Sequence, residues 1–164
     1  MISGLSLRNF TVFADEIFNF CDGINVVIGS NGTGKSHLLK MAYGAARWSR
    51  EMALREKGQG RPDRATLQKE LGGKLQRLYR PESLGRLSRR GVGVRRTEVG
   101  VQFVGKDDRD FEFSFSTKST TDVGLDETPT KFSAAEEVEP ITALDAELEQ
   151  SQRYLDTQNG GVQA

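Results

Sequence analysis

The chain is 164 residues long and carries 23 basic and 23 acidic side chains, so its formal net charge is zero. That length fits one domain burying roughly 70% of the surface its unfolded chain exposes, and the balance excludes a single-sign field over the whole molecule of the kind that marks a general polyanion or membrane-surface binder. The hydrophobic share, 36%, is low for a compact domain, and part of the chain is expected to be mobile.

The first element is a strand in which Leu5 and Leu7 alternate with Ser6 and Arg8. Ile17, Phe18 and Phe20 form a second apolar cluster, and Asp22-Gly23 turns the chain. Cys21, the sole cysteine, excludes an intrachain disulfide, fits a reducing compartment, and reads as a buried or half-buried structural thiol. Ile24, Val26, Val27 and Ile28 follow as a short β-branched run that predicts a buried strand.

Residues Gly29-Ser30-Asn31-Gly32-Thr33-Gly34-Lys35-Ser36 then spell a complete phosphate-binding loop. Glycines let the backbone turn its N–H groups toward phosphate oxygens. Lys35 can reach the β- and γ-phosphates, and the Ser36 hydroxyl can ligate Mg²⁺. Leu38, Met41, Ala42, Ala45 and Ala46 recur at helical spacing directly after it. A helix there brings its positive end to the same anion. Strand, glycine-rich loop and helix in that order separate this motif from an ordinary Gly/Ser turn.

The P-loop helix is predicted from about Lys35 to Leu54, ended by Gly58-Gln59-Gly60 and Pro62. Leu67, Leu71, Leu75 and Leu78 predict a second amphipathic helix, weakened by Gly72-Gly73 and stopped by Pro81. Val99, Val101 and Phe103, then Phe111, Phe113 and Phe115, alternate as the arms of a β-hairpin around the polar stretch 106–109. The polar, Thr-rich stretch 116–136 reads as loop, Val138 to Ile141 as a last short strand, and 142–164 as an acidic helical or disordered tail. No apolar run approaches the ~20 residues that span a bilayer. The N-terminus lacks a charged-then-apolar leader, so the expectation is a cytoplasmic protein without membrane contact.

Residues Leu5-Ser6-Leu7-Arg8-Asn9-Phe10 and the stretch from Phe20 to Ser36 resemble the start of ABC-type ATPase heads, nearest to the RecF, SMC and OLD-like group often described as AAA family ATPases. That group opens on a Leu-x-Leu-x-Asn-Phe strand and reaches its P-loop through Gly-Ile-Asn, here Gly23-Ile24-Asn25. Pro81 to Gly91 resembles, more weakly, a segment inserted in some bacterial members. The resemblance implies an α/β P-loop NTPase fold, an incomplete head with N-terminal antiparallel strands, the P-loop helix, a helical insertion at about 55–96 and a β-hairpin, together forming a lobe over 1–141. It implies ATP and Mg²⁺ at Gly29 to Ser36, Asn31 positioning the γ-phosphate or the nucleophile, and Arg8 and Phe10 near the base. It ties the chain to DNA maintenance or phage defence.

The same comparison exposes what the sequence lacks. Heads of this kind carry a buried strand ending in Asp-Glu, a Leu-Ser-Gly-Gly signature and a switch histidine. No signature appears, and the sole histidine, His37, reads as a first-turn helix residue. Val123-Gly124-Leu125-Asp126-Glu127 imitates the Asp-Glu motif, but Thr120, Thr121 and Asp122 precede it where a buried strand would be apolar. It reads as a solvated loop, and no catalytic residue is assigned. The chain therefore reads as an N-terminal lobe, truncated, that requires a missing C-terminal lobe or a second ATPase head.

Lys74, Arg77, Arg80, Arg86, Arg89, Arg90, Arg95 and Arg96 form a local basic stripe. We read it first as a solvated face paired with the acidic residues 136–149. Nucleic-acid phosphate on Arg86, Arg89, Arg90, Arg95 and Arg96 is the alternative. Two other function classes stay open: a small P-loop phosphotransferase with residues 86–96 as an arginine lid, and a non-catalytic regulatory module that pairs with a complete head. The first is opposed by the 28 residues that precede Gly29, a longer lead-in than small P-loop kinases use.

Overall fold

The computed structural model describes residues 1–105 and 107–132. Two β-strands, β1 (Ile2–Phe10) and β2 (Phe13–Asn19), come first, then helices α1 (Lys35–Gln59) and α2 (Arg64–Tyr79), then strands β3 (Arg96–Phe103), β4 (Phe111–Ser116) and β5 (Gly124–Glu127). The strands form a five-stranded sheet in the order β2-β1-β3-β4-β5, antiparallel at every pairing. The class is α/β, with both helices on one face of the sheet.

Period-two alternation explains that arrangement. Leu5 and Leu7 stand opposite Val101 and Val99, which stand opposite Phe111 and Phe113, so one face is continuously apolar and buried. The opposite face carries Arg8, Arg96, Glu98 and Asp126 in a chain of ion pairs. Helix α1 meets the apolar face with Leu38, Met41, Ala45, Trp48 and Met52, spaced three and four apart. Trp48 is fully buried and lies 4.8 Å from the ring of Phe111 and 5.7 Å from Phe132.

Helix α2 starts where Asp63 accepts a hydrogen bond from the Thr66 N–H at 2.9 Å. It ends where Arg80 turns left-handed and donates its N–H to the Gln76 carbonyl, just before Pro81. The expected weakening at Gly72-Gly73 has a structural counterpart: a Cβ on Gly72 would stand 2.3 Å from the Thr121 carbonyl oxygen. Glycine is required for the 117–123 loop to lie on the helix.

Three expectations are corrected. The run Ile24 to Ile28 is not a buried strand. It pairs with no strand among the described residues, and Ile24, Val26 and Ile28 are 89%, 73% and 88% exposed. Only Val27 packs against the core. Stretch 116–136 is not all loop, because Gly124–Glu127 forms β5 on β4, with Val123 and Leu125 buried. Cys21 is exposed rather than buried, since the chain leaves the sheet after Phe20 and turns into solvent. The expected strand at 138–141 and the tail at 142–164 lie outside the described residues.

Candidate functional site

Helix α1 begins at Lys35 directly after Gly34, whose φ of 91° is left-handed and favours glycine. A side chain is excluded there on a second ground. A Cβ on Gly34 would stand 2.5 Å from Val12 Cγ2 and 2.6 Å from Phe13 Cζ. The tight β1–β2 turn, closed by the Phe10–Phe13 pair, thus packs on the glycine loop and fixes where the helix starts.

That turn is strained. Asn9 and Thr11 have φ values of 51° and 49°, and a β-branched residue there is an outlier. The Thr11 hydroxyl is buried with no hydrogen-bond partner. The turn is held from outside, because Thr11 N–H donates to the Leu87 carbonyl and Arg89 N–H to the Asn9 carbonyl. Sequence reading gave this turn no role; its one visible signal is Asn9, a residue type that tolerates the left-handed region.

The eight residues of the loop fall out as follows. Gly29, Ser30, Asn31, Gly32, Thr33 and Ser36 are exposed, and Gly34 and Lys35 half-buried. The Thr33 hydroxyl donates to the Ser30 carbonyl at 2.9 Å. The Lys35 ammonium bridges the loop, donating to the Gly29 and Ser30 carbonyls at 2.6 Å each. No side chain caps α1 and no acidic residue stands in its first turn. Its leading N–H groups, the positive end of a long helix, have no acceptor within the helix. Free N–H donors, an ammonium within reach and the Ser36 hydroxyl are a donor set suited to a polyphosphate with its divalent cation.

Behind the loop the first turns of α1 are anchored. Tyr79 donates its hydroxyl to the His37 carbonyl at 2.7 Å, Phe10 meets both rings edge-on, and Lys40 lies over the Tyr79 ring. Burial, then the neighbouring Lys40 charge, lowers the His37 pKa, and burial raises that of Tyr79. His37 is the first-turn helix residue expected. Phe10 and Arg8, expected near a base, are placed otherwise: Phe10 is fully buried, and Arg8 pairs with Glu98 and Asp15 on the open sheet face.

Asp126 and Glu127 do not join the loop. They lie on β5, the sheet edge opposite β2, with three strands between, and Asp126 is held by Arg96 at 2.6 Å. Of the basic stripe, Lys74 pairs with Glu51 at 2.6 Å, Arg86 with Glu82, and Arg96 with Glu98 and Asp126. Arg89 and Arg90 are exposed and form no ion pair among the described residues. Arg90 borders an open depression of about 900 Å³ with Glu82, Ser83, Arg86, Gly91 and Thr117. Among the described residues no three His, Cys, Asp or Glu gather as a metal site, and no helix is long and apolar enough to cross a membrane.

A family model described as an AAA domain matches residues 4–41, the stretch holding β1, β2, the glycine loop and the start of α1. No curated protein matches the chain. Over residues 4–41 the chain is thus similar to a nucleotide-binding, ATPase-type domain, and that similarity falls on the turn, loop and helix whose geometry is given above.

Proposed function

We propose that Gly29 to Ser36 bind the phosphates of Mg-ATP, and that the chain acts as the N-terminal lobe of an ABC/SMC-type P-loop ATPase. The observation that carries this reading is the uncapped start of α1 beside an ammonium bonded only to loop carbonyls. Lys35 would leave those carbonyls for phosphate oxygens, the N–H groups from Gly32 to Ser36 would hold the oxygens between them, and Ser36 would supply one oxygen to Mg²⁺. Asn31, exposed at the loop's tip, stands free to contact the terminal phosphate.

Hydrolysis needs a group that orients water, and none of the described residues offers one beside the loop. A second lobe or head would supply it, so the isolated chain is expected to release phosphate only at background. Arg89 lies beside the same β1–β2 turn, and with Arg86, Arg90, Arg95 and Arg96 it would contact nucleic-acid phosphate in a DNA-maintenance or phage-defence role. A thermal shift measured with and without Mg-ATP tests the site. Ligand at about 100 times its dissociation constant stabilises the fold by ~2.7 kcal/mol. No shift, or an equal shift for Lys35→Ala, defeats the proposal.

A further inference from the structure

A two-residue hairpin turn with a positive φ at its first central position ordinarily places glycine there. The β1–β2 turn places Thr11 there, at φ 49°, and Val12 after it, so both central residues are β-branched. Such backbone persists only where its surroundings over-determine it, and it gathers at functional sites. The main-chain bonds to Leu87 and Arg89 supply part of that restraint. The Thr97 hydroxyl adds to it by donating to the Asn9 carbonyl at 2.9 Å, and the Asn9 amide donates to the Arg96 carbonyl at 3.1 Å. On its far side the turn meets the glycine loop. Val12 lies outside the buried core and is 46% exposed, yet its Cγ2 and the Phe13 ring leave no room for a Cβ on Gly34. The Phe13 ring is itself held edge-on by Phe18, 5.4 Å away.

We propose that Thr11 is a positioning residue for the glycine loop: its stiff, left-handed backbone holds Val12 and Phe13 against Gly34 and keeps the loop set before a ligand arrives. The inference rests on the nucleotide reading of Gly29 to Ser36. Glycine at position 11 would adopt the same φ without strain, and would adopt many other conformations as well. It would relieve the turn and loosen the loop in one step. A loop that is already ordered loses less freedom on binding and so binds more tightly. Stability of the fold and readiness of the loop therefore pull in opposite directions at this one residue. Valine keeps the β-branch, and with it the restriction, and lacks only the unpartnered hydroxyl.

Thr11→Gly and Thr11→Val, each in the full chain, test this in two ways. In a Mg-ATP titration Thr11→Gly should bind about tenfold more weakly, the factor for a loop correctly set in about one molecule in ten, although its melting temperature does not fall. Thr11→Val should bind as the wild type does. Hydrogen exchange without nucleotide reads the loop directly. The Leu38 N–H donates to the Gly34 carbonyl at 2.9 Å, and its exchange should quicken about tenfold in Thr11→Gly and stay unchanged in Thr11→Val. Unchanged Leu38 exchange in Thr11→Gly, unchanged affinity where the wild type binds, equal losses in both variants, or a loss that accompanies a lower melting temperature overturns the proposal. A wild type that ignores Mg-ATP while Leu38 responds as described defeats the nucleotide reading alone, and leaves Thr11 as the residue that sets the loop.

Discussion

The sheet and the segment that leads into the glycine loop are built from the same kinds of residue and end differently. In β3 and β4, Val99, Val101, Phe111 and Phe113 are buried, each backed by a neighbouring strand. Between Gly23 and Gly29, Ile24, Val26 and Ile28, of equal β-propensity, stand in solvent. Apolar patterning expresses an appetite for burial, and a strand exists only where another strand accepts its backbone bonds.

The sharpest way to break this comparison is to truncate one large side chain on each side of it. Trp48→Ala should cost about 3–5 kcal/mol in denaturant unfolding, since the cavity opens against Phe111 and Phe132. Val26→Ala should cost less than about 0.5 kcal/mol. A comparable loss for Val26→Ala would mean that the segment is covered. Hydrogen exchange sharpens the same contrast, with amides of β1, β3 and β4 expected to be slow and those of 24–28 fast. Uniform slow exchange from Val26 to Ala46 would contradict the open segment.

A smaller effect is expected where the two regions touch. Thr11→Gly removes a left-handed β-branched residue and an unpartnered buried hydroxyl, against the backbone entropy glycine adds. The melting temperature should rise by the equivalent of ~1 kcal/mol, and a fall would show that the threonine side chain is needed for packing at the turn.

The smallest effect concerns pH. Burial pushes the Glu51 pKa up, but hydrogen bonds from Lys74 and Arg47 outweigh it and hold the carboxyl below its ordinary 4.5. A depressed folded pKa stabilises above the unfolded value and is lost as pH falls through the folded one. The melting temperature should therefore drop as pH falls below about 4.5, and Glu51→Gln should make that slope shallower. An unchanged slope would assign the acid sensitivity elsewhere.

Much of this was legible from local pattern. Leu5 and Leu7, then Phe111, Phe113 and Phe115, give strands by alternation, and Leu67, Leu71 and Leu75 give α2 by spacing. The glycine loop is legible because its chemistry is written in consecutive residues. What was illegible depends on partners distant in sequence. β5 hides because Leu125 is its only apolar side chain, with Val123 just before it, and it is held by Arg64, which donates to the Leu125 carbonyl from α2. Asp126 reads as part of a solvated loop because Thr120, Thr121 and Asp122 precede it, whereas in the structure it stands on β5 and is held by Arg96. The fate of Ile24 to Ile28 was misread because composition records what a residue prefers and not whether a neighbour is there.

Lys35 rests on two carbonyls of its own loop, and this makes the ammonium an internal competitor for whatever the loop binds. Capture of an anion is then an exchange rather than an addition. Its apparent constant is weakened by the fraction of molecules with the lysine released, about a hundredfold for a released fraction on the order of 1%. Two neutral carbonyls are a fair match for a singly charged anion and a poor one for the dense charge of a polyphosphate. The loop would thereby sort anions by charge density before any contact with a base or sugar is made.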